Sequence, residues 1–251
     1  MGTRVLVLGG TAQARLLANQ LSELGVPVVS SLAGRVREPK LPAGEVRTGG
    51  FGGPAGMAEY LRGERITAVV DATHPFAARI SENAVAATTD SGVKMLVLRR
   101  TPWSPGPDDD WHRVGSLPEA AETARRLGTR VLLTTGRRGL HHFTRVRDRW
   151  FLARTVDDPD PPIPSNMTTI SARGPFTTEA ERELLLEQRI DVLVSKNSGG
   201  PMTEGKLAAA RELRIPVVLV EQPPPPHAPT VDSVAAAVAW LRERVDRPHT
   251  G

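Results

Sequence analysis

Strand-like and helix-like segments alternate along this chain of 251 residues, and that alternation limits its fold more than any other feature. Short β-branched or leucine-rich runs each end in a cluster of Gly, Ser, Thr or Asn and lead into a stretch with helical spacing. Strands separated by helices pair in parallel through right-handed crossovers, which bury a sheet on both faces. The pattern therefore predicts an α/β protein with parallel sheets and helices on both faces.

The individual elements can be predicted from the two periodicities. Strands are predicted at Arg4–Leu8, Val26–Leu32, Glu45–Thr48 (weaker), Ile66–Asp71, Lys94–Leu98, Arg130–Thr134, Trp150–Ala153, Thr168–Ala172, Asp191–Ser195 and Val217–Val220. Helices are predicted at Ala12–Leu24, Pro54–Arg62, Phe76–Ser91, Leu117–Leu127, Thr178–Gln188, Thr203–Leu213 and Val231–Val245. Capping signatures, Ser116 with Glu119 and Thr178 with Glu181, mark two of the helix starts.

Residues 99–113 fit neither periodicity, because they contain three prolines, two tryptophans and the acidic run Asp108–Asp110. We predict a linker there between two Rossmann-like domains, an NADPH-binding domain at 1–100 and a substrate-binding domain at 101–251, with a ligand cleft between them. The prolines Pro223–Pro226 lack backbone donors, so they predict an extended connector before the last helix.

Composition excludes several classes of protein. Apolar residues are 39% and charged residues 24% of the chain, values typical of a globular protein. Cysteine is absent, so the chain forms neither disulfides nor thiolate metal sites. The adjacent His141 and His142 suit no single helical face, and we predict no metal site.

Charge and hydropathy indicate which partners to expect. The net charge is only +4 and no long basic run occurs, which favours solvated or paired arginines over nucleic-acid binding. No apolar run approaches the roughly 20 residues of a membrane span, and no export signal is evident. We expect a cytoplasmic protein, a monomer or a weak homodimer, with neither a nucleic acid nor a membrane as its partner.

The corner after the first strand, Gly9–Arg15, partly matches the dinucleotide fingerprint G-x-G-x-x-G/A. Gly9 and Ala14 fit the outer positions, but Thr11 occupies the middle one, where a side chain would crowd a pyrophosphate. Ligands of parallel sheets bind beyond the carboxyl ends of the strands, where helix N-termini present free N–H groups. A nucleotide site and a plain tight turn both satisfy this motif.

The second strand ends without the acidic residue that usually holds the ribose hydroxyls of NAD. Ser30, Ser31 and Arg35 supply hydroxyls and a guanidinium there, which suit the 2′-phosphate of NADP. Arg35 as a solvated loop residue is the alternative. After the strand at residues 66–71, His74 lies at the ligand edge before a helix start, as a candidate proton donor or as a structural histidine.

Three corners of the second half each combine glycine with a cation. They are residues 134–139 with Arg137, 172–176 with Arg173, and 195–200 with Lys196. On one sheet edge they would suit a ligand with several carboxylates or phosphates. The alternative is that the glycines make turns and the cations are solvated.

Several known catalytic patterns are absent. Short-chain dehydrogenases need a tyrosine four residues before a lysine, but the only tyrosine is Tyr60 and position 64 is Glu64. The sequence also contains no G-x-S-x-G elbow, no Walker lysine and no H-E-x-x-H pair.

Five of these segments, in this order and spacing, resemble the precorrin-6A reductase family over nearly the whole chain. They are GGTAQAR at 9–15, DATHPFA at 71–77, GRRGL at 136–140, ARGPF at 172–176 and SKNSGG at 195–200. One departure is Gln13, where the family motif has glutamate. A role for negative charge at that position is therefore not expected, whereas hydrogen bonding is retained.

The resemblance implies an NADPH-dependent enzyme of cobalamin biosynthesis that reduces one C=C bond of a polycarboxylate tetrapyrrole to give precorrin-6B. It implies cofactor binding by Gly9, Gly10, Thr11 and Ala12, with Thr73 and His74 near the nicotinamide; Arg35 is our own inference for the 2′-phosphate. Substrate binding is implied for Arg137, Arg173, Ser195, Lys196, Asn197, Ser198 and Gly199.

We expect positioning to dominate catalysis, with the proton supplied by solvent and with His74 and Lys196 as weaker candidates. Two rival functions stay open on the sequence. Another NADP-linked reductase or epimerase would share the first half of the chain but have little use for three cationic corners. A non-catalytic NADP-binding sensor would bind NADPH without oxidising it.

Overall fold

Helices and strands alternate from end to end in a computed structural model of the protein, which describes residues 3–34, 41–159 and 161–245. The predicted α/β class with parallel sheets is confirmed. The strands are β1 Val5–Leu8, β2 Val28–Leu32, β3 Glu45–Thr48, β4 Ala68–Asp71, β5 Lys94–Leu98, β6 Trp111–Val114, β7 Arg130–Leu133, β8 Trp150–Thr155, β9 Met167–Ser171, β10 Val192–Lys196, β11 Val217–Val220 and β12 Thr230–Val231.

Seven α-helices and two 3-10 turns are found among the described residues. The helices are α1 Ala12–Glu23, α2 Pro54–Gly63, α3 Ala78–Ser91, α4 Leu117–Leu127, α5 Thr178–Glu187, α6 Gly205–Glu212 and α7 Val234–Val245, and the 3-10 turns are Arg137–His142 and Pro201–Thr203. Within this described part of the chain, no helix is both long and apolar enough to cross a membrane.

The chain forms two compact units, each built on its own parallel sheet. The first unit comprises Met1–Arg100 with Pro223–Gly251, and the second comprises Thr101–Gln222. The sequence predicted that residues 101–251 form the second domain, and the structure differs because β12 pairs with β5 in the first sheet. Helical periodicity shows which face of α7 is apolar, but it does not show which sheet that face covers.

The first unit has the strand order β12-β5-β4-β1-β2-β3, with every described pair parallel. From β1 the chain runs outward through β2 and β3, and then it returns to β4 on the other side of β1. The carboxyl ends of β1 and β4 therefore flank a topological switch point, the usual ligand position in such sheets.

Each face of the first sheet is covered by a pair of helices. Leu17 and Leu21 of α1 and Leu241 of α7 pack on the face that carries Val5 and Val7 of β1. The opposite face, with Leu6 and Leu8, is covered by α2 and α3. Because β1 is apolar on both faces, it is the buried centre of this unit.

The second unit has the order β6-β11-β10-β7-β8-β9, again parallel throughout the described pairs. Helices α5 and α6 cover the face that carries Leu132, Leu152 and Leu193. Helix α4 contacts β6, β10 and β11 and buries a stripe of alanines.

Several predicted boundaries are wrong. The helices predicted to begin at Phe76, Thr203 and Val231 begin at Ala78, Gly205 and Val234, and Val231 belongs to β12. The predicted linker includes β6, whose mixed residues pair with β11 at the edge of the second sheet. The predicted cap Thr178 is the first residue of α5, because Thr177 accepts the hydrogen bond from the backbone N–H of Ala180. Glu181 is therefore not part of a capping box. The Ser116 cap is confirmed by its hydrogen bond from the Glu119 N–H.

Candidate functional site

The corner after β1 lies at the switch point of the first sheet and leaves its backbone accessible. Gly10 has a φ of +106°, and an added Cβ there would meet nothing within 4 Å. At Gly9 an added Cβ would lie 3.2 Å from Leu32, so this glycine permits close packing of the corner on β2. A backbone that only glycine adopts easily, with open space beside it, suits close approach of a ligand.

Thr11 caps helix α1 and fastens it to the neighbouring strand. Its hydroxyl accepts from the Ala14 N–H at 3.1 Å and donates to the carbonyl oxygen of Ala72 at 2.8 Å. Since both bonds turn the side chain into the protein, the Thr11 hydroxyl occupies the Ala14 N–H of the first turn and leaves the approach to Gly10 open. The crowding expected from the fingerprint position is therefore avoided.

Gln13 joins the same corner to the end of β12. Its side-chain amide donates to the backbone carbonyl of Asp232 at 3.1 Å, one residue before the Ser233 cap of α7. An amide donates such a bond and an ionised carboxylate does not. Glutamine at this position thus links the first corner to the returning C-terminal segment.

A cation that was not predicted from the sequence lies beside the end of β2. Arg47 of β3 pairs in register with Ser31 of β2, and its Nη1 donates to Ser31 Oγ at 2.8 Å. The guanidinium stacks on Phe51 with 3.8 Å between Cζ and the ring centroid, and it also donates to the carbonyls of Gly49 and Gly50. Arg35, predicted for the same role, lies outside the described residues. The available signal for Arg47 was its position in β3, which a parallel pairing places in register with Ser31 at the end of β2.

The corner after β4 is held by a buried carboxylate. Asp71 is 3% exposed and accepts from both the backbone N–H and the hydroxyl of Thr73, at 3.1 and 2.7 Å. His74 Nδ1 accepts from the Phe76 N–H at 3.3 Å, so in the neutral imidazole the proton is on Nε2. Thr73 and the Nδ1 atom of His74 therefore both take part in shaping the corner.

The three predicted corners of the second unit follow β7, β9 and β10, all parallel strands of one sheet. Carboxyl ends of parallel strands share one edge, so Arg137, Arg173 and Lys196 belong to the same edge. Gly205 at the start of α6 approaches the corner after β9 closely: an added Cβ would lie 2.9 Å from the carbonyl oxygen of Phe176. The start of α6, which follows the corner after β10 along the chain, thus reaches the corner after β9.

The corner after β10 contains a partly buried cation. Burial lowers the pKa of the Lys196 ammonium from its ordinary value of 10.5, and the charge of Arg138 lowers it further. Burial also lowers the pKa of His142, with His141 and Lys196 adding to the effect. These basic groups favour loss of each other's protons, and a bound polyanion would oppose that tendency.

Not every predicted substrate residue reaches the surface of this corner. Ser195 is 1% exposed and Asn197 is 0% exposed, and both side chains form hydrogen bonds within the second unit. Ser198 is half-buried, and Gly199, with a φ of +65°, makes the turn. Lys196 and Ser198 are therefore the side chains of the 195–200 corner that can meet a ligand, while Ser195 and Asn197 support them.

A second cation missed from the sequence lies on β8, between two of the predicted corners. Arg154 is 9% exposed, and its Nη2 lies 2.8 Å from Glu181 Oε1 in the first turn of α5. Its Cζ lies 4.0 Å from the ring centroid of Phe176 in the corner after β9. A cation inside an apolar strand gives no periodic signal, but the buried pair ties this corner to the sheet.

Among residues 3–34, 41–159 and 161–245, no cluster of three or more His, Asp or Glu side chains has the arrangement of a metal site.

Comparison with known proteins gives consistent matches over both units. Residues 4–242 match the family model described as precorrin-6x reductase CbiJ/CobK. A precorrin-6A reductase from Rhodococcus erythropolis is 53% identical over 241 residues, covering 95% of this chain and 97% of the relative. One from Rhodobacter capsulatus is 40% identical and covers 98% of both chains.

A solved structure described as CobK precorrin-6A reductase superposes with a TM-score of 0.92 at 39% identity. The match covers 99% of this chain and 100% of that one. The fold and the sequence therefore indicate the same family.

Proposed function

The chain belongs to the precorrin-6x reductase family, and from that premise we propose that it is a precorrin-6A reductase that takes hydride from NADPH. The reaction reduces one carbon–carbon double bond of the macrocycle and gives precorrin-6B for cobalamin synthesis. The observation that carries the proposal is the open Gly10 corner at the switch point between β1 and β4.

The first unit fits a dinucleotide that carries phosphate at two places. The Gly10 backbone and the N-terminus of α1 offer N–H groups and a positive helix end to a pyrophosphate. Ser31 and Arg47 offer a hydroxyl and a cation to a 2′-phosphate, and no acid occupies the end of β2. These features favour NADPH over NADH.

The second unit fits a substrate with several carboxylates. Arg137, Arg173 and Lys196 follow three strands of one edge, and guanidinium groups bind carboxylates in bidentate geometry. A macrocycle with many acidic substituents would engage several of these cations at once. A nucleotide sensor would have no use for such an edge.

In catalysis the chain positions the cofactor and the substrate and neutralises the carboxylates of the substrate. When bound, NADPH supplies the hydride, and a proton must reach the adjacent carbon. His74 and Lys196 are candidate donors, but a macrocycle held at the open edge of a sheet stays accessible to water, so solvent is the proton source we propose. A kcat loss of about a hundredfold or more in His74→Ala, with NADPH affinity kept, would instead assign the proton to His74.

The proposed function is tested by mixing the protein with NADPH and precorrin-6A and following the absorbance of reduced nicotinamide. We expect oxidation that depends on the tetrapyrrole. Binding of NADPH without any substrate-dependent oxidation would support the sensor and overturn the proposal.

A matched pair of variants locates the cofactor. Gly10→Ala and Gly25→Ala both place a side chain at positive φ in open space, but Gly25 follows α1 at the opposite edge of the sheet. Both should lose stability, and only Gly10→Ala should weaken NADPH binding in a fluorescence titration. Equal NADPH affinity in the two variants would contradict the placement.

A further inference from the structure

One tryptophan of the segment that leads into the second unit is hydrogen-bonded to the middle and to the end of the corner after β10. Trp103 lies in irregular chain before β6 and packs, half-buried, on the core between the second sheet and its helices α5 and α6. Its backbone and its side chain make separate hydrogen bonds to residues 197 and 200. This arrangement fixes a loop that the proposed function assigns to substrate.

The side-chain amide of Asn197 pairs with the backbone of Trp103 as the backbone of a neighbouring strand would. Its Oδ1 accepts from the Trp103 N–H at 2.8 Å, and its Nδ2 donates to the Trp103 carbonyl at 3.1 Å. Its own backbone N–H donates to Val220 at 2.8 Å. A side chain that is 0% exposed and satisfied on both polar atoms has one orientation, so the backbone at 197 is fixed.

The indole of Trp103 fixes the far end of the same loop. Its Nε1 donates to the carbonyl of Gly200 at 3.1 Å. The Lys206 ammonium, on a side chain only 4% exposed, lies 4.8 Å from the ring centroid and donates to the Thr203 carbonyl at 2.6 Å. The stacked cation connects the indole to the first turn of α6.

Lys196 and Ser198 stand on either side of the fixed Asn197. The Ser198 N–H and hydroxyl both donate to the Lys196 carbonyl, at 2.7 and 3.3 Å, which folds the two residues into a tight turn. Since the turn is closed locally and anchored at 197 and 200, the directions of both side chains depend on Trp103.

We propose that Trp103 and Asn197 are positioning residues that hold Lys196 and Ser198 in the geometry that binds an anionic group of the substrate. The inference rests on the proposed function in that it takes the corner after β10 as a substrate contact. It adds a role for a residue outside that corner, in a segment with no regular structure of its own.

The variant Trp103→Phe tests this, because it keeps a ring on the core and over Lys206 and removes the Nε1 donor together with part of the indole, a loss of ring volume that the control variant matches. We expect the KM for precorrin-6A to rise about fivefold to tenfold, the effect of one lost polar contact, with kcat and NADPH affinity unchanged. Trp150→Phe is the matched control, since Trp150 begins β8 at the opposite edge of the same sheet. It should leave the KM unchanged.

Hydrogen exchange of residues 195–203 gives a readout that does not need turnover. Trp103→Phe should accelerate exchange there, and Trp150→Phe should not. Equal KM values for the two variants, or protection of 195–203 that Trp103→Phe leaves intact, would overturn the inference. Absence of any NADPH oxidation by the wild-type protein would contradict the proposed function alone, and the exchange data would still decide whether Trp103 holds the loop.

Discussion

The hydroxyl of Thr11 donates to the carbonyl oxygen of Ala72 at 2.8 Å, so one side chain joins the corners after β1 and β4. The hydroxyl oxygen of Thr11 also accepts from the Ala14 N–H and so caps α1. The two strands that flank the switch point are thereby held in one arrangement at the point where a dinucleotide would enter.

Thr11→Val should separate these roles from simple packing, because valine keeps the shape and removes the hydroxyl. We expect a loss of about 1–2 kcal/mol from the missing cap, together with weaker NADPH binding. Thr11→Ser keeps the hydroxyl and should retain most of both properties. Hydrogen exchange of α1 and titration with NADPH measure them, and equal behaviour of the valine and serine variants would contradict the role of the bond.

Replacement of Arg47 should change which cofactor is preferred. Its Nε–H and second Nη2–H have no acceptor within the described part of the chain, so they remain available to a phosphate beside Ser31. We expect Arg47→Gln to weaken NADPH binding by about tenfold to a hundredfold, as for the loss of a charge-assisted hydrogen bond, and to change NADH binding little.

The comparison of NADPH with NADH is the internal control for Arg47, because the two cofactors differ only in the 2′-phosphate. The guanidinium also stacks on Phe51 and bonds the 49–50 loop, so a purely structural role would weaken both cofactors equally. A common fall in affinity would therefore refute selection of the phosphate by Arg47.

Much of the fold could be predicted because the central strands are apolar on both faces and lead into corners of small or polar residues. Strands β6 and β12 could not, because Trp111–Val114 has no apolar period and Thr230–Val231 is too short to show one. Each becomes a strand only by pairing at a sheet edge. The strand conformation of β6 and β12 is therefore set by tertiary pairing, which the local sequence does not show.

The candidate site was predictable where residues follow a strand and not where they lie within one. Lys196 and His74 stand at strand ends, where the pattern changes visibly. Arg47 and Arg154 lie inside β3 and β8, and their importance depends on what the adjacent strand or helix places beside them. Asn197 was predicted as a ligand contact, but its complete burial and its bonds to Trp103 give it a supporting place.

Removing one charge of the buried pair Arg154 and Glu181 should destabilise the second unit more than replacing both residues with apolar ones. Their side chains are 8% and 1% exposed, so removing one charge leaves the other buried without its partner. We expect Arg154→Met or Glu181→Leu to lose about 3–5 kcal/mol, and the double variant Arg154→Met/Glu181→Leu to lose less than the sum of the two.

Urea unfolding of the second unit can be followed in a Trp240→Phe background, because the remaining tryptophans, at 103, 111 and 150, all lie in that unit. Additive losses in the double variant would show that the two charges do not interact. That result would remove the reason for treating the pair as the anchor of the corner after β9.

The affinity for substrate should fall as the pH rises through the lowered pKa of Lys196, at a pH below the ordinary lysine value of 10.5. The ammonium form attracts a carboxylate, and a bound carboxylate raises the pKa of Lys196 again. The contribution of this charge to substrate binding is therefore complete below the pKa of Lys196 in the free protein and is lost as the pH rises above it. The free energy of unfolding should change with pH in the opposite direction to the substrate affinity. A buried ammonium with a lowered pKa destabilises the fold at low pH, and this penalty is relieved as the pH rises from the lowered pKa towards 10.5. Profiles of 1/KM and of urea midpoint against pH, compared between wild type and Lys196→Arg, test both signs. Arginine stays charged throughout this window, so its profiles should lack the fall in 1/KM and the rise in stability. An identical fall in the arginine variant would assign the titration to another group.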